Sequence, residues 1–286
     1  MSETAPDLPT LARRAWGTLE TLHTPGYFAP EPRAAYKALG LRASIAYFAA
    51  RSAPFGVVPA DVVQATFYVF SPAVVHHAIP GAWEATTPEQ VTQARRRGVH
   101  ETLQRLLGDA AGGPEVEEAA ALAREACAGL TVPGRALFAA HASLPWPDEP
   151  LLALWHAATL VREHRGDGHV AALVGAGLDP VESIISGGAV AGTSEFMKAS
   201  RGWSEQEWAD GESRLRERGL MDDDGALTEA GLALRAEVET RTDAAAMQGW
   251  EHLGAERTAR LIELARPLQK TVLASGVFPP GVLPRR

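Results

Sequence analysis

The stretch that decides the fold class is residues 203–235, which read WSEQEWADGESRLRERGLMDDDGALTEAGLALR. Ser204 followed by Glu207 is a capping box, which is typical of the start of a helix. The Asp-Gly pair at 224–225, with a short apolar pair on either side, predicts a tight β-hairpin. Thr228 then has the position of the cap of a second helix. The order helix, hairpin, helix predicts a winged-helix module.

Outside this stretch helix signals are frequent and strand signals are few, so the chain is predicted to be all-α, mainly helical, with one small β-hairpin wing. Hydrophobic spacing predicts a helix over 33–50. Capping boxes at 87–90 and 179–182 predict two further helix starts. The glycines near position 166 predict a break between one helix at 150–164 and another at 168–175.

Three units follow from these signals. They are an N-terminal helical unit (1–108), a second helical unit carrying a polar cluster (114–190), and the winged-helix-like module with a C-terminal helix (191–286). The segment between the first two units is rich in glycine and alanine and is predicted to be a linker. The motif YFAAR at 47–51 is echoed by LFAAH at 137–141, each followed by a proline-rich turn and a helix, so a duplicated helical unit is one interpretation.

The composition of the 286-residue chain excludes several classes of protein. The formal net charge of −8 argues against a protein that coats phosphate backbones. Cys127 is the single cysteine, so no internal disulfide can form, and its alanine-rich surroundings predict a buried side chain rather than a nucleophile. The sequence has no signal peptide and no apolar run of membrane-spanning length, so we expect a cytoplasmic protein.

Two resemblances follow from particular phrases. RLRERGL at 214–220 and LTEAGLAL at 227–234 resemble the end of the recognition helix, the wing and the next helix of MarR-type regulators. The segments at 27–31, 47–51 and 163–169 resemble recurring phrases of an actinobacterial family described only as predicted helix-turn-helix proteins. This second resemblance covers most of the chain and implies an architecture but no activity.

The charge of the helix at 204–218 argues against DNA recognition. Five of its side chains are acidic and three are basic, and its first turn, which would meet base edges, is acidic. Three consecutive aspartates occupy 222–224, where a DNA-binding wing would be basic. We therefore expect a winged helix that serves as a scaffold for packing or for a homodimer.

A polar cluster at 163–169 is where we expect chemistry. His164, Asp167 and His169 are the candidate catalytic residues, since a histidine oriented by a carboxylate can act as a general base. Arg165 is placed to hold a substrate carboxylate. Two alternatives stay open: the same three residues could ligate a metal, or the cluster could be an ion-pair network that joins helices.

Further side chains are expected to line the ligand site together with Arg165. These are Glu163, His156, Trp155, His76, Tyr68 and Phe70. Aromatic walls with few converging polar groups are the usual form of a small-molecule site. The sequence has no nucleotide-binding, serine-hydrolase or structural-zinc motif, so no cofactor is predicted, with a metal or haem left open.

The main functional hypothesis is a small-molecule-binding protein with a degenerate winged helix. In its sharper form the protein is a cofactor-independent acid–base enzyme of specialised metabolism, acting on a largely apolar substrate. One alternative is a winged-helix transcriptional regulator with a ligand-sensing domain, and another is a metal- or haem-dependent enzyme with a histidine ligand. The expected partners are a small organic ligand and a second copy of the chain, and neither DNA nor a membrane.

Overall fold

The computed structural model describes residues 6–282, which form sixteen α-helices and two short 3-10 helices. The first eight α-helices are α1 (Leu8–His23), α2 (Pro25–Phe28), α3 (Pro30–Ala38), α4 (Ala43–Ser52), α5 (Ala60–Thr66), α6 (Pro72–Ala85), α7 (Pro88–Leu107) and α8 (Pro114–Ala128). The others are α9 (Ala136–Ala142), α10 (Pro150–Gly175), α11 (Pro180–Ala191), α12 (Ser194–Ser200), α13 (Glu205–Glu217), α14 (Glu229–Ala245), α15 (Gln248–Leu253) and α16 (Ala255–Ala274). The mainly helical class predicted from the sequence is therefore confirmed.

The largest hydrophobic core joins the two ends of the described chain. Helix α1 packs against α16 and α10, and α8 packs against α10, α15 and α16. Cys127 lies in this core, 8% exposed, and burial raises the pKa of its thiol to about 12. The side chain is thus a small buried hydrophobe, as the sequence predicts.

Two smaller cores flank this one. The second gathers apolar side chains of α3 to α7, including an aromatic group of Phe48, Phe67 and Phe70. The third lies between the end of α10 and the helices α11, α13 and α14, with Trp208 and Leu215 buried in it. Helix α10 contributes its first half to the largest core and its last turn to the third, so its middle crosses the space between them.

Helix α10 is continuous, and the predicted break near Gly166 is wrong. Position 168 requires a glycine, because a Cβ there would lie 2.1 Å from Nη1 of Arg135. That same nitrogen donates a hydrogen bond of 2.5 Å to the main-chain oxygen of His164. The glycine admits a guanidinium against the helix instead of ending it.

The single helix predicted over 33–50 is also wrong, because the chain turns between α3 and α4. Gly40 has a φ of 80°, which only glycine adopts without strain, and it ends the first helix. The second helix then starts in a new direction at Ala43. This turn sets the direction of α4, which carries Tyr47 and Arg51.

The β-hairpin wing is the main error of the sequence-based fold. The residues that the structure describes contain no β-strand, and the segment around the Asp-Gly pair has one isolated bridge between Met221 and Leu227. The Asp222 side chain closes the turn by accepting the N–H groups of Asp224 and Ala226. Thr228 caps α14 directly after the bridge, which leaves no room for paired strands. The winged-helix assignment therefore does not hold.

A helix that crosses a membrane has to meet two criteria, sufficient length and sufficient apolarity. None of the described helices meets both criteria by itself. Helices α10 and α11 meet them only as a pair, with an angle of 110° between the two.

The packing of α7 against α3 can be tested by replacing a glycine of the contact with alanine. A Cβ at Gly98 would lie 2.5 Å from Cα of Pro32, whereas a Cβ at Gly17 of α1 would meet no heavy atom within 4 Å. Gly98→Ala is expected to lower the free energy of unfolding by about 1–3 kcal/mol through overpacking. Gly17→Ala, the matched control, is expected to raise it by about 0.5–1 kcal/mol because alanine favours a helix. Urea denaturation of both variants measures the difference, and equal stability would disprove the close approach.

Candidate functional site

A cleft runs along the middle of α10, between the three cores. One part has a volume of about 320 Å³ and an adjoining part about 570 Å³. We call the two parts together the arginine cleft, because the same side chains line both. The shared residues are Trp16, Glu20, Tyr47, Phe70, Arg162 and Arg201.

A buried ion-pair cluster forms one wall of the arginine cleft. Arg51 of α4 donates two hydrogen bonds to the carboxylate of Glu163, of 2.7 Å and 3.2 Å. Arg162 lies 3.4 Å from the same carboxylate and 3.0 Å from that of Glu20 on α1. Burial would raise the pKa of Glu163, but the two arginines hold it well below its usual range. The cluster therefore ties α1, α4 and α10 together in its ionised form.

Tyr47 adds a hydroxyl to this wall. Its oxygen accepts a 2.8 Å hydrogen bond from Nη1 of Arg51, which lies one helical turn away. Burial would raise the pKa of Tyr47, but Arg51, Arg201 and Arg162 together lower it below the ordinary value. Tyr27 also lines the cleft, and its buried hydroxyl has no hydrogen-bond partner among the described residues.

Asp167 lies one turn after Glu163 on α10 and also lines the cleft. Its carboxylate accepts a 2.9 Å hydrogen bond from the N–H of Phe138 and so caps the start of α9. Burial raises the pKa of Asp167 to about 6, against the opposing effect of that hydrogen bond. At the other end of α9, Nε2 of His141 lies 3.1 Å from the main-chain oxygen of Arg51, so the two echoed segments meet in space.

The three candidate catalytic residues do not converge. Asp167 and His169 line the arginine cleft, whereas His164 does not line it and has its ring 5.0 Å from that of Phe138. Nδ1 of His169 is 2.9 Å from Oγ1 of Thr242 on α14. Burial lowers the pKa of each histidine to about 4, so both are neutral near pH 7.

Arg165 joins α10 to α14. Its guanidinium pairs with Asp243 at 2.6 Å and Glu239 at 3.2 Å on α14, and it covers the ring of Trp16. These ion pairs agree with the alternative interpretation of the polar cluster at 163–169 as an ion-pair network that joins helices. Arg165 reaches the edge of the cleft with its charge already paired.

The remaining candidate ligand-site residues divide into two groups. Tyr68 and Phe70 line the cleft, and the hydroxyl of Tyr68 donates to the main-chain oxygen of Leu178 at 2.6 Å. The others lie elsewhere: Trp155 stacks on His23 in the core, His156 packs against Trp146, and His76 is an exposed partner of Asp61. Within residues 6–282 no three His, Cys, Asp or Glu side chains are grouped as a metal site.

Sequence reasoning missed the residues that give the cleft its charge. Arg51 lies in α4, Arg162 in α10 and Arg201 in the turn after α12, so their convergence depends on tertiary structure. One usable signal existed, because Tyr47 and Arg51 are four residues apart in the echoed motif and so share a helix face.

Two helices joined by a short turn lie beside the cleft. These are α12 and α13, and the turn between them, 201–204, has four residues and contains a glycine, as is common in helix-turn-helix motifs. The capping box predicted at Ser204 is present. The three arginines in and after α13 pair with carboxylates of this protein, and these pairs are Arg214 with Asp179, Arg216 with Glu212, and Arg218 with Glu182.

The buried ion pair can be tested by neutralising one partner. Glu163→Gln leaves the charges of Arg51 and Arg162 without their common counter-ion, and it is expected to lower the free energy of unfolding by about 3–5 kcal/mol. Glu125→Gln is the matched control, because its pair with Arg257 lies on the surface and should contribute little. Chemical denaturation near pH 7 measures both, and equal effects would contradict the assignment of the Glu163 cluster as a buried tie.

Asp167 predicts a pH dependence of stability. Because its pKa is raised on folding, the folded state binds more protons than the unfolded state between pH 4 and pH 6. The free energy of unfolding should thus fall as the pH rises through this window, by about 2–3 kcal/mol. Asp167→Asn removes this contribution and should be the more stable protein at pH 7, with little difference at pH 4. Asp223→Asn, in an exposed turn, should keep the wild-type profile.

Comparison with known proteins shows the family of the chain. Neither the curated proteins nor the solved structures show significant similarity to the chain. A helix-turn-helix family matches residues 12–279, which is nearly the whole chain and includes both the arginine cleft and the α12–turn–α13 unit. The chain therefore belongs to this helix-turn-helix family.

Proposed function

We propose that this protein binds a small organic molecule in the arginine cleft. The observation that carries the proposal is the convergence of polar side chains from separate helices on a cleft with aromatic walls. Arg51, Arg162 and Tyr47 supply the polar groups, and Phe70 belongs to the apolar wall. Such a combination is the usual form of a small-molecule site.

The unpaired polar groups in the cleft support this proposal. Buried polar atoms are almost always hydrogen-bonded, because leaving one without a partner costs about 1–3 kcal/mol. The hydroxyl of Tyr27 and Nε of Arg201 are two such atoms without a partner among the described residues, and both side chains line the larger part of the cleft. A bound molecule with acceptor groups would satisfy them.

Acid–base chemistry, if this ligand is a substrate, falls to different residues from those first expected. Asp167, with its pKa near 6, and the neutral His169 line the cleft and could transfer a proton near pH 7. His164 lies outside the cleft and is not part of this proposal. Binding is the proposed function, and turnover would be a further property of the same site.

A neutral fluorescent amine, N-phenyl-1-naphthylamine, tests binding without assuming a charge on the ligand. We expect a saturable rise in fluorescence with the full-length protein. Ser44 is exposed and lines the larger part of the cleft, so Ser44→Trp should fill the space and weaken binding about tenfold or more.

Ser213→Trp is the matched control, since Ser213 is equally exposed on α13 and lies outside the cleft. This variant should bind the dye as the wild type does. If Ser44→Trp and Ser213→Trp bind the dye equally, the cleft is not the site and the proposal fails. Circular dichroism of each variant confirms that the helices are intact.

Family membership favours a second candidate, a transcriptional regulator that senses a ligand. The contact between the cleft and the helix-turn-helix supports it, because Arg201 lines the cleft and is also the first residue of the turn between α12 and α13. The main-chain oxygen of Arg201 accepts from the N–H of Ser71, and Nε1 of Trp203 donates to the main-chain oxygen of Val69. The acidic surface of α13 and its paired arginines argue against direct reading of DNA by that helix.

Fluorescence anisotropy with duplex DNA from upstream of the protein's own gene separates the two candidates. A regulator should bind this DNA more tightly than a shuffled duplex, with an affinity that falls steeply as salt is added. Dye binding without any preference between the duplexes would leave small-molecule binding as the function.

A further inference from the structure

We propose that the molecule bound in the arginine cleft is an organic anion whose acidic group pairs with Arg201. This inference rests on the proposed function and adds the chemical class of the ligand. It follows from the charges of the cleft, from the surroundings of Arg201 and from the apolar walls beside it.

Arg201 differs from the three other arginines that line the cleft, of which Arg165 pairs with Asp243 and Glu239. Arg51 and Arg162 are both paired with Glu163, and Arg162 also with Glu20. Arg201 has no carboxylate within 4.0 Å among residues 6–282. Within the described part of the chain its side chain donates one hydrogen bond, from Nη1 to the hydroxyl of Ser200 at 2.8 Å.

Arg201 therefore lacks a counter-ion among residues 6–282. Four guanidinium groups and four carboxylates line the cleft, but only the guanidinium of Arg201 has no carboxylate within 4.0 Å among the described residues, and it lies among aromatic rings with its Nε shielded from solvent. Burial lowers the pKa of Arg201, and Arg51 and Arg162 also lower it, against the opposing effect of Tyr47. A buried charge without a counter-ion is costly, and the acidic group of a ligand would supply the counter-ion.

The apolar part of the ligand also has a defined place. The guanidinium of Arg201 lies 4.6 Å from the ring centre of Phe70 and 5.8 Å from that of Phe196. Phe28 and Phe48 continue this apolar wall in the larger part of the cleft. A flat apolar body beside an acidic group fits these surroundings, since planar guanidinium groups bind carboxylate-type oxygens with two parallel hydrogen bonds.

Two dyes with the same aromatic framework test this inference. 8-Anilinonaphthalene-1-sulfonate carries a sulfonate, and N-phenyl-1-naphthylamine lacks it. We expect the wild-type protein to bind the sulfonate about tenfold or more tightly than the neutral amine, which is the effect of one charge-assisted contact. Arg201→Gln should weaken binding of the sulfonate much more than binding of the neutral amine, so that the preference is lost, and Arg201→Lys should keep part of it.

Arg216→Gln is the control, because Arg216 pairs with Glu212 on α13 and lies outside the cleft. It should keep the wild-type preference for the sulfonate. Equal affinity of the wild type for both dyes, or an equal loss of both dyes in Arg201→Gln, would overturn the inference while leaving the cleft as a binding site. Dye binding that Ser44→Trp does not weaken would instead refute the proposed function itself.

Discussion

The structure depends on the burial of one carboxylate. Glu163 lies in the middle of a helix where three hydrophobic cores meet, and only the two guanidinium groups of Arg51 and Arg162 make its charge tolerable there. The ion pairs have a direction, and they fix α1 and α4 at defined positions against α10.

The same helix organises the rest of the fold. Within little more than one turn of α10, Glu163 holds α4, Arg165 holds α14 and Asp167 holds α9. The cleft is therefore a consequence of how the fold is tied together, because side chains long enough to bridge helices also keep those helices apart. Arg201 is the exception, since it reaches the cleft from the turn after α12 and ties nothing to α10.

The accuracy of the sequence analysis followed the range of the interactions involved. The capping boxes at Thr87, Asp179 and Ser204 are all present, because each is completed within four residues. The predicted hairpin is wrong because an Asp-Gly pair is equally compatible with a tight turn that the Asp222 side chain closes. Whether strands follow depends on the length of the segments on either side.

The site was predicted in part for the same reason. The segment at 163–169 was correctly identified as a centre of polar contacts, and Asp167 and His169 do line the cleft. The expected break in α10 was wrong because Gly168 makes room for Arg135, a residue 33 positions away in the sequence. The arginines that dominate the cleft come from segments up to 150 positions apart, so no local pattern could have brought them together.

Because Cys127 is buried, the rate at which its thiol is modified can measure how often the largest core opens. The sulfur of Cys127 is in the largest core, and only the thiolate reacts with common thiol reagents, so the native molecule should resist alkylation. Modification then requires that α8 separate from α10, and its rate reports how often that opening occurs. A ligand that holds the helices together would slow this reaction, so the mass added to a single sulfur can measure occupancy without any dye.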